Sequence, residues 1–431
     1  MSPTEEHPSP LEPPQEGDPS QAQEGGASGL EALKCAPFTL FWVGHSLSSV
    51  GTKMQQVGLL WHIYELTGST KALGLMGLVK LAPTLALVLI GGVVADRVSR
   101  RRILIYSQAA MGALAVLLGV LSLSGLESAL WLYAVAALTE AAGAFDGPAR
   151  KALIPQLVPK SALSSALTLT SISKNASKLL GPALMGLIVA YAPIGLVYII
   201  NGLSFGAVLI SLLLMPDVRI EAEQKPVGTP LKLVLDGARF LKNSRMLLSV
   251  LALDFGANLW AAATVLLPVY AKEVLHLGSA GYGMLASAIA AGGLLASALL
   301  LALPDSVYKG RWVVLCSMGF GVGTIMLGLS QTLWVSLLAL VIIGATDQVS
   351  TVQRNTIHQL ITPNALRGRV TAINMIFSKS GPRLGELEAG FAASWLGLAP
   401  SIMFGGAACI LTTALITLWH RPLWHRAEDP G

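Results

Sequence analysis

From about Phe38 onward the chain consists of long apolar runs separated by short polar interruptions, and the runs are continuously apolar instead of alternating residue by residue. A hydrocarbon core of about 30 Å needs roughly 20 apolar residues per helix. Such runs predict membrane-spanning helices and not a barrel, whose strands would alternate. The predicted spans are Phe38–Tyr64, Lys71–Ala95, Ile103–Ser124, Ala129–Arg150, Ser164–Tyr191 and Ile194–Leu214, then Met246–Lys272, Gly281–Leu303, Trp312–Ser330, Leu333–His358, Arg369–Trp395 and Ala399–Trp419. The expected fold is therefore all-α and integral to the membrane, with twelve transmembrane helices in two pseudo-symmetric six-helix bundles.

The polar interruptions define the organisation. Residues 1–35 are rich in Pro, Glu, Gly and Ser and are expected to be a disordered cytoplasmic tail. They lack the basic start and apolar core of a cleaved signal peptide. The bundles are expected at 36–214 and 246–419, joined by a cytoplasmic linker at 215–245 and followed by a tail at 420–431. Within the linker, Pro230 opens an amphipathic segment with Leu231, Val234, Leu235, Ala238 and Leu241 on one face, suited to a helix lying on the inner membrane surface. Basic residues collect after the even-numbered spans, at Arg97–Arg102, Lys151 and Lys160, Arg219–Arg245, Lys309 and Arg311, and Arg367. The opposite loops hold little beyond Lys71 and Lys272, so both termini are expected on the cytoplasmic side.

Composition then narrows the class. Of 431 residues, 53% are hydrophobic and 12% charged, whereas a soluble domain is about 25% charged. The net charge of +5 sits on one membrane face and implies no nucleic-acid partner. Cys35, Cys316 and Cys409 are too far apart in sequence to suggest a disulfide framework or metal spacing, and no metal or cofactor is expected.

Charges inside the spans are the informative exceptions. A charge at the centre of a spanning helix costs about 2.5–3.5 kcal/mol on insertion scales, so it usually faces a cavity or a partner. The first span carries Lys53, the second Lys80, the fourth Glu140 and the fifth Lys174 and Lys178. The seventh carries Asp254, the tenth Asp347 and the eleventh Lys379, Arg383, Glu386 and Glu388. Spans three, six, nine and twelve carry none, which predicts that every third helix faces lipid while the others enclose a polar interior. Lys174 and Lys178 share a face, as do Lys379 and Arg383 with Glu386 one turn on. Such pairs are either internal salt bridges or parts of a pathway. Glu140, Asp254 and Asp347 stand alone in sequence and are candidate proton carriers, Glu140 first and Asp254 second.

Two internal matches relate the halves. Arg150-Lys-Ala-Leu-Ile-Pro-Gln-Leu-Val-Pro159 aligns with Arg354-Asn-Thr-Ile-His-Gln-Leu-Ile-Thr-Pro363, and Gly181-Pro182 recurs as Gly381-Pro382. Tandem repeats of this kind occur in many transporter folds.

The charged stretch Gly92-Val-Val-Ala-Asp96-Arg97-Val-Ser-Arg100-Arg101-Arg102 separates the second and third spans and is expected to form a tight loop. It resembles the cytoplasmic signature loop of the major facilitator superfamily, with Ser99 where that pattern usually has Gly. The resemblance implies that Asp96 and Arg97 belong to a cytoplasmic gate that latches and releases the two halves. Gly181-Pro182-Ala-Leu-Met-Gly186 resembles the antiporter signature of the same superfamily, with Met185 in place of the first of its paired glycines. The tracts Phe145–Pro159 and Pro363–Val370 resemble a branch of prokaryotic efflux carriers similar to the enterobactin and macrolide exporters.

That resemblance implies a secondary transporter of the cell membrane, not an enzyme, exporting a drug or siderophore-like small molecule in exchange for protons by alternating access. A monomer is expected. The absence of a Gly-x-x-x-x-Gly-Lys-Ser/Thr loop from the sequence argues against ATP hydrolysis of that type, and the mixed interior charge favours an anionic or zwitterionic cargo. An importer or lysophospholipid flippase of the same fold is the nearest alternative. A reading from another class is an intramembrane serine protease using Ser204 of Gly202-Leu-Ser204-Phe-Gly206 with His358 or His45.

Overall fold

The computed structural model describes residues 30–215, 239, 241–242, 244–302, 308–363 and 366–420. Among these no strand occurs. The long helices are α1 (Ala36–Thr67), α2 (Thr70–Arg97), α3 (Arg100–Leu123), α4 (Ala129–Leu153), α5 (Leu163–Tyr191) and α6 (Gly195–Leu214). The second half supplies α7 (Arg245–Trp260), α8 (Ser279–Ala302), α9 (Lys309–Leu329), α10 (Leu333–Ile361), α11 (Arg367–Leu396) and α12 (Leu398–Trp419). With the short turns that prolong α7, eight of these twelve are apolar and long enough to cross a membrane. The other four, α1, α4, α5 and α11, are the ones diluted by Lys53, Glu140, Lys174, Lys178, Lys379, Arg383, Glu386 and Glu388.

The packing repeats between the halves. In the first, α1 packs on α5 and α6, α3 on α4 and α6, and α2 on α4. In the second, α7 packs on α11 and α12, α9 on α10 and α12, and α8 on α10. Adding six to each helix number converts one set into the other. The two seams between the halves obey the same relation, since α2 packs on α11 and α5 on α8. Helices α3, α6, α9 and α12 pack chiefly within their own half and expose apolar side chains such as Leu203, Val322 and Leu411, as expected for the spans without charge.

The seams are made by glycine. Without a hydrophobic drive between helices in lipid, close approach of backbones through small residues holds spans together. A Cβ on Gly390 of α11 would lie 2.5 Å from the Cα of Gly74 on α2, and one on Gly186 of α5 would lie 2.6 Å from the carbonyl oxygen of Ser279 on α8. These contacts lie toward the end of the molecule opposite the basic loops. There a single apolar cluster runs across both halves and includes Tyr198, Met76, Tyr270 and Tyr282. At the basic end the apolar clusters are separate. One, around Phe38, Leu104 and Leu153, belongs to the first half, and another, around Leu247, Val313 and Ile357, to the second.

Three segments differ from their sequence expectations. The seventh span is interrupted after Trp260 and resumes as a 3-10 turn (Ala263–Leu266), a short α segment (Leu267–Val269) and a π turn (Tyr270–Val274). Pro268 removes a backbone donor there, and Gly385 of α11 and Gly405 of α12 let their backbones press on the carbonyls of Asn258 and Trp260. The loop after the second span is shorter than expected, because α2 runs through Gly92 and Asp96 to Arg97 and α3 starts at Arg100. The turn therefore falls at Val98-Ser99 and not at Gly92. Within the expected N-terminal tail, Glu31–Lys34 form a 3-10 turn whose Ala32 N–H donates to Ser165 Oγ at 3.2 Å. Residues 1–29 of that tail, residues 421–431 and residues 216–238 of the linker, with the amphipathic segment from Pro230 up to Ala238, lie outside the described residues.

Candidate functional site

Between the halves lies a cavity of about 350 Å³. Its walls come from α1, α2 and α5 on one side and α8, α10, α11 and the α7 turns on the other. Leu60, Leu267, Tyr282 and Ile289 form an apolar wall. The charged lining is Lys53, Lys80, Lys178 and Arg383 against Asp347 and Glu386, four cations to two anions. Lys53 donates to Gln56 Oε1 at 2.7 Å. Lys178 and Asp347 make no ion pair or hydrogen bond among the described residues, and both are exposed to the cavity.

Glu140 and Arg383 tie the halves together beside this space. Arg383 Nη2 lies 2.9 Å from Glu140 Oε1 and Arg383 Nη1 lies 2.8 Å from Glu386 Oε1. Glu140, solitary in sequence, is therefore ion-paired, and its partner stands 243 residues away. The stripe of Arg383 and Glu386 on α11 is an internal salt bridge that the second half also shares with the first.

The Gly181-Pro182 segment forms a three-helix junction on the cavity wall. Gly181 admits the backbone of α1 at Lys53, the Pro182 carbonyl is approached by Gly283 of α8, and Gly186 admits Ser279. Met185, which departs from the antiporter-like pattern, is fully buried and packs against Gly58 of α1, where a Cβ would lie 3.5 Å from Met185 Cγ. In the second half Gly381 faces Phe255 and Asn258 of α7 in the matching manner.

A second cavity of about 200 Å³ lies within the second half, between α7, α10 and α11. Asp254, the other solitary carboxylate, is also paired. Its Oδ1 lies 2.8 Å from Arg354 Nη2 and accepts from Asn258 Nδ2 at 2.9 Å, while its Oδ2 accepts from Ser378 Oγ at 2.9 Å. Arg354 belongs to the repeat shared with Arg150, and Arg150 contacts α1 in the same way, with Nη1 2.7 Å from His45 Nε2. Asp347 lines this cavity as well as the larger one.

The remaining candidates are scattered. Lys174 and Lys379 are exposed one turn from Lys178 and Arg383 on the same stripes and line neither cavity. Of the charged-loop residues, the side chains of Gly92, Asp96 and Arg97 lie outside the described residues. Arg100 Nη1 donates to the Ala152 carbonyl at 2.9 Å and Arg101 Nε to that of Leu212 at 2.8 Å, so both cap helix C-termini of the first half. Ser204 is buried against α1, donating to the Asn201 carbonyl at 2.7 Å, while His45 is engaged by Arg150. The protease reading is thereby overturned.

Three polar pairs in the smaller cavity went unremarked in the sequence reading, namely Asp254/Asn258, Thr351/Asn355 and Asn374/Ser378. Each is spaced i, i+4 on one of three helices. That spacing was the available signal, and uncharged amides dilute hydropathy too weakly to show it.

Comparison with known proteins agrees with this architecture. The family model of the transmembrane secretion effectors matches residues 27–429. The chain is similar to an enterobactin exporter of Citrobacter koseri, 24% identical over 391 residues, covering 90% of this chain and 93% of that protein. It is similar also to a staphyloferrin A transporter of Staphylococcus aureus, 25% identical over 396 residues, covering 90% and 98%. Among solved structures, a bacterial homologue of the lysosomal transporter Spinster in an inward-facing, unoccupied conformation matches with a TM-score of 0.68 at 15% identity, over 94% of this chain and all of that one. A membrane protein of two matched six-helix halves around a charged cavity, the chain belongs to the transmembrane secretion effector family of major facilitator transporters.

Proposed function

We propose that the protein exports an anionic or zwitterionic small molecule, of the siderophore or drug class, through the central cavity by alternating access and in exchange for protons. The observation that carries this reading is the cavity between the halves, with Lys53, Lys80 and Lys178 left in excess once Arg383 is paired. The seams α2·α11 and α5·α8 press together at Gly74/Gly390 and Gly186/Ser279, toward the end opposite the basic loops. Among the described residues, the hydrogen bonds between the halves are Arg383 Nη2 to Glu140 Oε1 (2.9 Å), Ser279 Oγ to the Gly186 carbonyl (3.1 Å), Ser287 Oγ to that of Leu179 (2.8 Å), Tyr282 to that of Val57 (3.3 Å), and Tyr64 to Glu273. If the positive-inside rule holds and the basic loops are cytoplasmic, the cavity is poised to load from the cytoplasm. The likeness to an enterobactin exporter supports outward flux.

Proton exchange places the carried proton on Asp347. As a carboxylate it accepts hydrogen bonds from N–H or O–H groups of the cargo. It also attracts the cationic group of a zwitterionic cargo, and protonation removes that attraction, so proton and cargo compete for it. The Glu140–Arg383 pair is then a tie between the halves, and Asp96 and Arg97 remain candidates for the cytoplasmic gate.

The test is flux into inverted vesicles energised with an acid lumen, using siderophores as cargo. Accumulation that collapses with a protonophore and with Asp347→Asn, the variant being present at normal level, is the expected result. Accumulation indifferent to the pH gradient overturns proton exchange, and flux only in the opposite direction overturns export.

A further inference from the structure

The two cavities meet at one side chain. Asp347 lines both, with Lys178 of the opposite half within electrostatic reach of it on the larger-cavity side. The pseudo-symmetry makes the arrangement legible. In the first half's version an acid on α4, Glu140, meets a base on α11, Arg383, and the two are joined at 2.9 Å. The helices related to these by the repeat, α10 and α5, carry an acid and a base at other positions, Asp347 and Lys178. There the two stand apart, leaving a cation and an anion facing the same space without pairing.

Beyond Asp347 the chemistry changes. The smaller cavity carries its own neutralised charge, with both oxygens of Asp254 occupied by Arg354, Asn258 and Ser378. Apart from Asp347 at the boundary, what remains to offer a ligand is neutral: the amides of Asn355 and Asn374, the Thr351 hydroxyl already accepting from Arg354 Nη2 at 3.0 Å. Among the described residues Asn355 has no hydrogen bond, and the amide N–H₂ of Asn374 donates to none. Primary amides present a donor and an acceptor together and match amide or hydroxyl groups, whereas an added anion would find no uncommitted cation there.

We infer that the two cavities form one divided ligand site, in which Lys178 takes an anionic group and Asn355 with Asn374 takes a neutral amide- or hydroxyl-bearing end of the same molecule. The ligand class is an organic acid with a neutral polar arm, its middle passing Asp347, where the two cavities meet. This deepens the proposed function and rests on the cavity being the cargo site.

Two matched probes test it, adipamate, with a carboxylate at one end and a primary amide at the other, and hexanoate, which ends in a methyl group. Each is titrated calorimetrically against the full-length protein in lipid nanodiscs without a gradient. The wild type is expected to bind adipamate about fivefold to tenfold more tightly than hexanoate, the effect of a single net hydrogen-bonding end. The double variant Asn355→Ala/Asn374→Ala should lose that preference while binding hexanoate as before, which also reports that it is folded. Lys178→Gln should weaken both probes by about tenfold, as loss of a charge-assisted contact does. No preference in the wild type, a preference that survives in the double variant, unchanged binding in Lys178→Gln, or failure of both probes to bind overturns the inference. Export can fail in vesicles while the amide preference holds, and the reverse, so the two readings fall separately.

Discussion

Arg383 on α11 and Glu140 on α4 stand 243 residues apart in the chain and 2.9 Å apart in space, across the boundary between the halves. Both side chains are about three-quarters buried, and Arg383 has a second anion in Glu386 at 2.8 Å. Removing Glu140 therefore leaves the guanidinium partly compensated, whereas removing Arg383 leaves two carboxylates without their cation. Arg383→Gln is expected to lower the melting temperature more than Glu140→Gln. A double-mutant cycle on melting in detergent should show a coupling of about 1–3 kcal/mol, and additivity within about 0.5 kcal/mol would mean the pair does not hold the halves.

Gly186 is expected to tolerate no side chain beyond the smallest. A Cβ there already lies 2.6 Å from the Ser279 carbonyl and 3.0 Å from the Cα of Gly283. Gly186→Leu should push α5 off α8 and open the end opposite the basic loops. In a background with Cys35, Cys316 and Cys409 replaced by Ser, a cysteine at Ala286 should become reactive to an impermeant maleimide added from that side. Unchanged labelling would show that the seam is not what closes this end.

Tyr64 donates to Glu273 across the same end, with the Lys272 ammonium 5.8 Å from the Tyr64 ring centroid. This hydrogen bond exists only when the two halves are closed there. Tyr64→Phe removes it and should shift the balance toward the opposite-facing state by about two- to twelvefold, equivalent to about 0.5–1.5 kcal/mol. Spin-label distances between the outer ends of α1 and α7 would report the shift, and an identical distance distribution would count against it.

The Asp254–Arg354 pair is buried more deeply, with side-chain exposures of 7% and 10%. Breaking such a pair on one side typically costs about 3–5 kcal/mol because the remaining charge is stranded. Arg354→Gln should therefore be strongly destabilised. Asp254→Asn/Arg354→Gln should recover much of the loss, since an amide pair can still bond to Asn258 and Ser378. A double variant no more stable than Arg354→Gln would show that the pair's role is not mutual neutralisation.

Much of this was legible in the chain. The charge-bearing helices α1, α2, α4, α5, α7, α10 and α11, the peripheral spans without charge and the Arg150/Arg354 and Gly181/Gly381 correspondences all follow from spacing along the chain. The partners did not. Glu140 and Asp254 look solitary because the periodicity of a helix says which residues share its face, and nothing about which helix that face meets. For the same reason Asn355 and Asn374 carried no weight until α7, α10 and α11 stood around one space.

Hydropathy and local spacing alone determined that the protein spans a membrane with helices, where charge enters them, and that its halves are copies. Tertiary structure decided that Glu140 and Arg383 are joined while Lys178 and Asp347 stand apart, and that α7 breaks after Trp260. The physical reason is range. Helix formation and insertion depend on neighbours within a few turns, whereas ion pairing and glycine-to-backbone contact depend on the rotation and depth of helices some 200 residues distant, which are set only when all of the spans pack together.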